Sequence, residues 1–190
     1  QRKGCKNGSH PNWKRRLCFF VNSKNLIDNL TIKQIQDIYS GKITNWKEVG
    51  GSDESIRPFQ RPDKSGSQTA LEKLMAGKSL LIPPKEDQVA GMGGIIKVTA
   101  AYKNYNTALG FSFRFYSTQM VKNNEIKLLK INGIAPTEEN IRNGTYPLSS
   151  NFYAITLAYR PNPNVTKLLE WVLSDEGQEL IQKTGYTRLK

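Results

Sequence analysis

The chain has 190 residues, 37% hydrophobic and 23% charged, which is enough apolar material to bury a core in one domain or a domain plus part of another. No apolar run approaches a membrane span, and Gln1-Arg2-Lys3-Gly4-Cys5 lacks the apolar region of a signal peptide, so Gly4-Cys5 does not read as a lipoprotein cleavage site. A net charge of +12 admits a nucleic-acid or anionic-surface partner, but Lys and Arg are scattered along the chain after residue 20 and mark no single face.

The first 18 residues stand apart. They hold Cys5, Cys18, His10 and six Lys or Arg, and no acid. A Cys-Cys-His zinc site is one reading, although the spacing matches no finger or knuckle; a disulfide in an oxidising compartment is another. Phe19-Phe20-Val21-Asn22 then reads as a short strand and Ser23 to Asn29 as a loop. Thr31 is the expected N-cap of a helix whose apolar face is Ile32, Ile35, Ile38 and Tyr39, with Gly41 at its end. Trp46 reads as a core aromatic in the turn that follows.

The central stretch is Ile56 to Met75. An arginine, Arg61, precedes Ser65-Gly66-Ser67, and Leu71, Leu74 and Met75 then recur at helical spacing before the stop at Gly77. Ser65 or Ser67 can cap this helix. A helix start presents open N–H groups and the positive end of the dipole, Gly66 permits close approach, hydroxyls add donors, and Arg61 offers a forked cation. Both an anion cradle and an ordinary capped surface helix fit this stretch alone.

Gly77-Lys78-Ser79 imitates the end of a P-loop, but Glu72 stands where the earlier glycine is required. Gly91-Met92-Gly93-Gly94 lacks the strand-then-helix context of a dinucleotide site. Leu109 to Phe113, Ile126 to Ile131 and Tyr153 to Tyr159 are expected strands; Pro136 to Ile141 opens a short helix, and Asn164 to Leu173 and Asp175 to Lys183 are two more, the second capped by Ser174. Interleaved strands and helices predict an α/β fold. No nucleophile elbow or acid–base pair appears, which argues against an enzyme, and no cofactor is expected.

Leu30-Thr31-Ile32-Lys33-Gln34-Ile35 and Ile38 through Gly51 closely resemble the phosphate-binding proteins of ABC transporters. Arg61 with Ser65-Gly66-Ser67 looks like that family's R-x-x-x-S-G-T anion motif, and Ala108-Leu109-Gly110-Phe111 like its A-I-G-Y strand; Tyr146 to Ser149 and Leu173 to Gln178 resemble its closing segments. The resemblance runs in family order over roughly residues 19 to 190. It implies a periplasmic-binding-protein fold of the second type, in which two α/β lobes close by a hinge around the ligand. Arg61, Ser65, Gly66 and Ser67 fall on the family's phosphate-contacting positions, Ser67 replacing the usual Thr.

Family members carry a further stretch before this one, which builds most of the first lobe and supplies an Asp that accepts a hydrogen bond from protonated phosphate. Here the resemblance implies a second lobe over residues 19–150, a mixed sheet flanked by helices, and a return to an incomplete first lobe over 151–190. The anomalous residues 1–18 admit one more reading. Translated one base later, suitable codons for residues 3–18 give KVVKMDLTPIGKEGFV, close to the family's text before the Phe-Phe-Val-Asn strand, so an out-of-frame segment is an expectation that the nucleotide sequence tests.

The implied function is extracytoplasmic phosphate or oxyanion binding, with a membrane permease as partner of the intact protein, in the periplasm or at the cell surface. Binding is expected to be weak or lost here, since half the donors are missing. The alternatives are a basic nucleic-acid-binding module, which the resemblance disfavours, and a fragment that self-associates by segment exchange.

Overall fold

The computed structural model describes residues 8–114, 117, 124–156, 162–184, 186 and 188. Strand β1 (Gly8–Asn22) changes partners along its length. Its first part runs antiparallel to β7 (Ser149–Thr156), from Gly8 opposite Thr156 to Arg16 opposite Ser149, with an irregularity between Pro11 and Trp13. From Leu17 onward it pairs with β4 (Ala108–Phe113) and, at its end, with β5 (Ile126–Leu128), both antiparallel. Strand β3 (Arg57–Pro58) adds to β4 in parallel. The mixed sheet is ordered β3-β4-β1-β5, with β7 also on β1, and helices flank it, which is the expected α/β architecture. A second, parallel pair joins β2 (Asn29–Leu30) to β6 (Lys130–Ile131).

Three expected strands differ in extent. Phe19–Asn22 is only the end of β1, whose basic first part carries no alternation to reveal it. The single strand expected over Ile126–Ile131 divides at Leu129 between two sheets. The strand expected from Tyr153 begins at Ser149, and residues 157–161 lie outside the described residues.

Helix α1 (Ile32–Tyr39) is capped by Thr31 and Gln34 reciprocally, buries Ile35, Ile38 and Tyr39, and ends at Ser40. Gly41 follows at φ 77°, a left-handed position that glycine adopts without steric cost. Helix α2 (Gly66–Leu74) lies beside α1, where Gln36 Nε2 donates to Leu74 O at 2.8 Å. Helix α3 (Met92–Ala100) begins in the glycine-rich run, but no strand leads into it, so the strand-then-helix context of a dinucleotide site is absent there.

The sheet's two faces are covered differently. The Phe111 ring packs 6.0 Å from Phe19 and 5.8 Å from Tyr39 of α1. At the adjacent residue, a Cβ on Gly110 would lie 2.5 Å from both the Phe20 ring and Thr99 Oγ1 of α3. Successive strand residues point to opposite faces, so α1 and α2 cover one side and α3 the other. Gln60, just past β3, bridges Gln88 in parallel, placing the β3 segment between residue 88 and β4. The crossovers on its two sides pass over opposite faces, and the chain order reverses at its carboxyl end, where open α/β sheets bind ligands.

The buried apolar cluster draws on residues from Leu17 to Tyr146. Helix α4 (Glu138–Arg142), capped by Thr137, contributes Ile141. Helix α5 (Pro163–Leu173) contributes no buried residue, and Leu168 (58% exposed) and Trp171 (43%) on its apolar side face outward. Ser174 ends α5 and caps α6 (Asp175–Lys183) by accepting the Gly177 N–H.

Candidate anion site at the start of helix α2

The segment leading into the site is held rigidly. The Arg57 guanidinium pairs with Asp87, donates to Asn104 Oδ1 at 3.0 Å and lies 5.3 Å from the Phe59 ring centroid. Tyr39 Oη donates to Phe59 O at 3.3 Å. The next residues turn sharply: Ser65 N–H donates to Pro62 O at 3.2 Å, and Lys64 takes a left-handed φ of 66° to make that turn. Ser65 then caps α2, its hydroxyl accepting the Gln68 N–H at 3.3 Å.

That cap uses one of the open N–H groups of the first turn. Those of Gly66 and Ser67 have no acceptor within the helix, and no acid in the first turn offsets the dipole. The Ser67 hydroxyl is buried, 1% exposed, and makes no hydrogen bond among the described residues. A buried hydroxyl in that condition is rare enough to require an explanation, and an acceptor bound at the helix start supplies one.

Arg61 is itself largely buried. Its backbone N–H donates to Gln68 Oε1 at 3.0 Å, Gln68 Nε2 donates to Gln60 Oε1 at 2.9 Å, and Gln60 Nε2 donates to Leu81 O at 2.8 Å. This amide chain fixes residue 61 against the first turn of α2. Arg61, Ser65, Gly66 and Ser67 are thereby brought to one helix start. Gln60 and Gln68, which set that geometry, were not singled out from the sequence; the one signal available was a glutamine directly before Arg61 and another at the third helical position.

The zinc and disulfide readings of the N-terminus gain nothing from the described residues. Cys5 lies outside the described residues, and Cys18 is a free, buried thiol. Burial pushes the Cys18 thiol up to about 12, against the smaller opposing effect of its hydrogen bond with Tyr146. Among the described residues no three of His, Cys, Asp and Glu gather as a metal set.

A family model for the PBP superfamily domain matches residues 3–176. The chain is 25% identical over 177 residues to the phosphate-binding protein PstS of Borreliella burgdorferi, covering 92% of this chain and 63% of that protein. It is 32% identical over 173 residues to PstS of Staphylococcus epidermidis, covering 87% and 51%. The chain thus spans between half and two thirds of the length of these curated relatives. Among solved structures, a phosphate ABC transporter substrate-binding protein with bound phosphate from Clostridium perfringens matches with a TM-score of 0.78 and 27% identity, over 97% of this chain and 72% of that one. A phosphate transport receptor from Vibrio cholerae shares the fold at a TM-score of 0.81 and 24% identity, over 97% and 74%. With its mixed sheet, flanking helices and a family match over most of its length, the chain belongs to the PBP superfamily.

Proposed function

We propose that the start of α2 binds inorganic phosphate, and that the chain forms part of the extracytoplasmic substrate-binding component of an ABC phosphate uptake system. The observation that carries this is the buried, unpartnered Ser67 hydroxyl beside the open N–H groups of Gly66 and Ser67, with Arg61 held against the same turn. The role is capture and not chemistry. N–H groups, hydroxyls and one guanidinium make charge-assisted hydrogen bonds to an oxyanion, which strengthen when a closing lobe excludes water. The choice of phosphate comes from the relatives, several of which are phosphate-binding proteins, since donors alone accept sulfate equally. None of the relatives reported above is a nucleic-acid-binding protein.

On this reading residues 19–150 form the second lobe and 151–190 return to the first, whose remaining donors lie outside this sequence. A permease is the partner of the intact protein. Calorimetry of the 190-residue chain with phosphate and with sulfate tests the proposal: weak, Arg61-dependent binding of both is expected. Binding unaffected by Arg61→Ala overturns the assignment of the site, and micromolar binding that excludes sulfate overturns its incompleteness.

A second reading, self-association, rests on α5, whose Val165, Leu168 and Trp171 recur along one uncovered apolar side. Light scattering that finds only monomer at high concentration excludes it.

A further inference from the structure

We propose that the cleft between α4 and α6 is a second anion-binding site, for a small divalent oxyanion of the phosphate or sulfate class, built from none of the residues at the start of α2. The cleft is shallow and open to solvent, and it is lined by Glu138, Arg142, Gln182, Tyr186 and Arg188. Two guanidinium forks, an amide and a phenol converge there, all able to donate, and a guanidinium fork matches an oxyanion in two-pronged geometry.

Two of the acids nearby have cationic partners of their own. Glu138, the one carboxylate in the lining, is faced by Arg114 Nη1 at 3.6 Å, and Arg114 is itself anchored by Nε donating to Pro136 O at 2.8 Å. Glu179 of α6 pairs with Lys183 at 2.7 Å. A further arginine, Arg16 of β1, is buried against the same short helix and donates to Ile141 O at 3.3 Å. Three arginines, Arg16, Arg114 and Arg188, therefore surround α4, which carries Arg142 as a fourth, and the acids beside them leave a positive excess. The Nε of Arg188 is buried and makes no hydrogen bond among the described residues. A buried donor left unmade is unfavourable, and an oxyanion in the cleft satisfies it. Two charges on the ligand suit two guanidinium groups better than the single charge of a carboxylate does. Because α4 precedes β7 and α6 follows it, such an anion ties the C-terminal helix to the body of the sheet.

The test uses the whole chain carrying Arg61→Ala, so that the start of α2 does not contribute, with inorganic phosphate and sulfate as probes and sodium chloride at matched ionic strength as control. A saturable shift of the Arg188 Nε–H resonance with either oxyanion below about 20 mM is expected, weakened about tenfold or more by Arg142→Ala and partly retained by Arg142→Lys. Tyr186→Phe, a milder change, weakens the same titration should Arg142→Ala fail to fold. An Arg188 resonance that does not move, or that moves equally in chloride, overturns the proposal. Because the reading at Arg61 is tested by the Gly66 and Ser67 amides and this one by Arg188, either can fail alone.

Discussion

Gln68 Oε1 accepts the backbone N–H of Arg61 at 3.0 Å, so the third residue of α2 holds in place the residue that carries the site's guanidinium. Gln68 is 3% exposed, and its amide also donates to Gln60. Gln68→Leu leaves the Arg61 N–H and the Gln60 side-chain Oε1 without these partners, at a cost of about 1–3 kcal/mol each when buried. Denaturant unfolding is expected to show a loss in that range, with any phosphate affinity falling alongside. Unchanged stability means that the two glutamines do not hold the loop.

Gly110 is where β4 passes closest to Phe20 and Thr99, and a Cβ there meets both at 2.5 Å. A flat ring and a helix-bound hydroxyl have little room to move, so Gly110→Ala overpacks this face. A loss of about 1–3 kcal/mol in denaturant unfolding is expected.

Asp37 is approached by both Lys33 and Lys78, the latter at 3.3 Å. The hydrogen bond from Lys33, the larger effect, and that from Lys78 outweigh burial and hold its carboxyl below the ordinary 3.8. A depressed folded-state value means that Asp37 contributes stability fully present above 3.8 and lost as pH falls through the lower folded value. Thermal unfolding of wild type and Asp37→Asn is expected to differ at pH 5 and to converge progressively below 3.8. Parallel curves down to the most acid pH would remove the pair from the account.

Burial holds the Cys18 thiol near 12, which leaves almost no thiolate at neutral pH, and the side chain is fully covered. In a Cys5→Ser variant, a thiol-specific disulfide reagent is expected to label Cys18 only at the rate of global unfolding, and added denaturant to accelerate it. Prompt labelling of the native protein contradicts the packing of β1 against β4.

Local chemistry made much of this legible in the sequence. The Thr31, Ser65 and Ser174 caps, the stop at Gly77 and the apolar spacing of α1 and α2 all act within a few residues. What was not legible depends on partners distant in the chain. Gly8 to Arg16 reads as a basic tail, and becomes a strand through the main-chain bonds that β7 offers it, far along the chain. The glutamine chain links Gln60, Gln68 and Leu81 through side chains whose convergence no spacing rule reveals. Arg188 and Arg142 likewise share a cleft only because α6 folds back on α4.

On the proposed reading, the start of α2 receives an oxyanion. The most direct measurement is a phosphate titration of the labelled chain that follows the backbone amides of Gly66 and Ser67. Both resonances are expected to shift downfield and saturate in wild type, and to stay in place in Arg61→Ala. Amides that do not respond, or that respond equally without Arg61, contradict it.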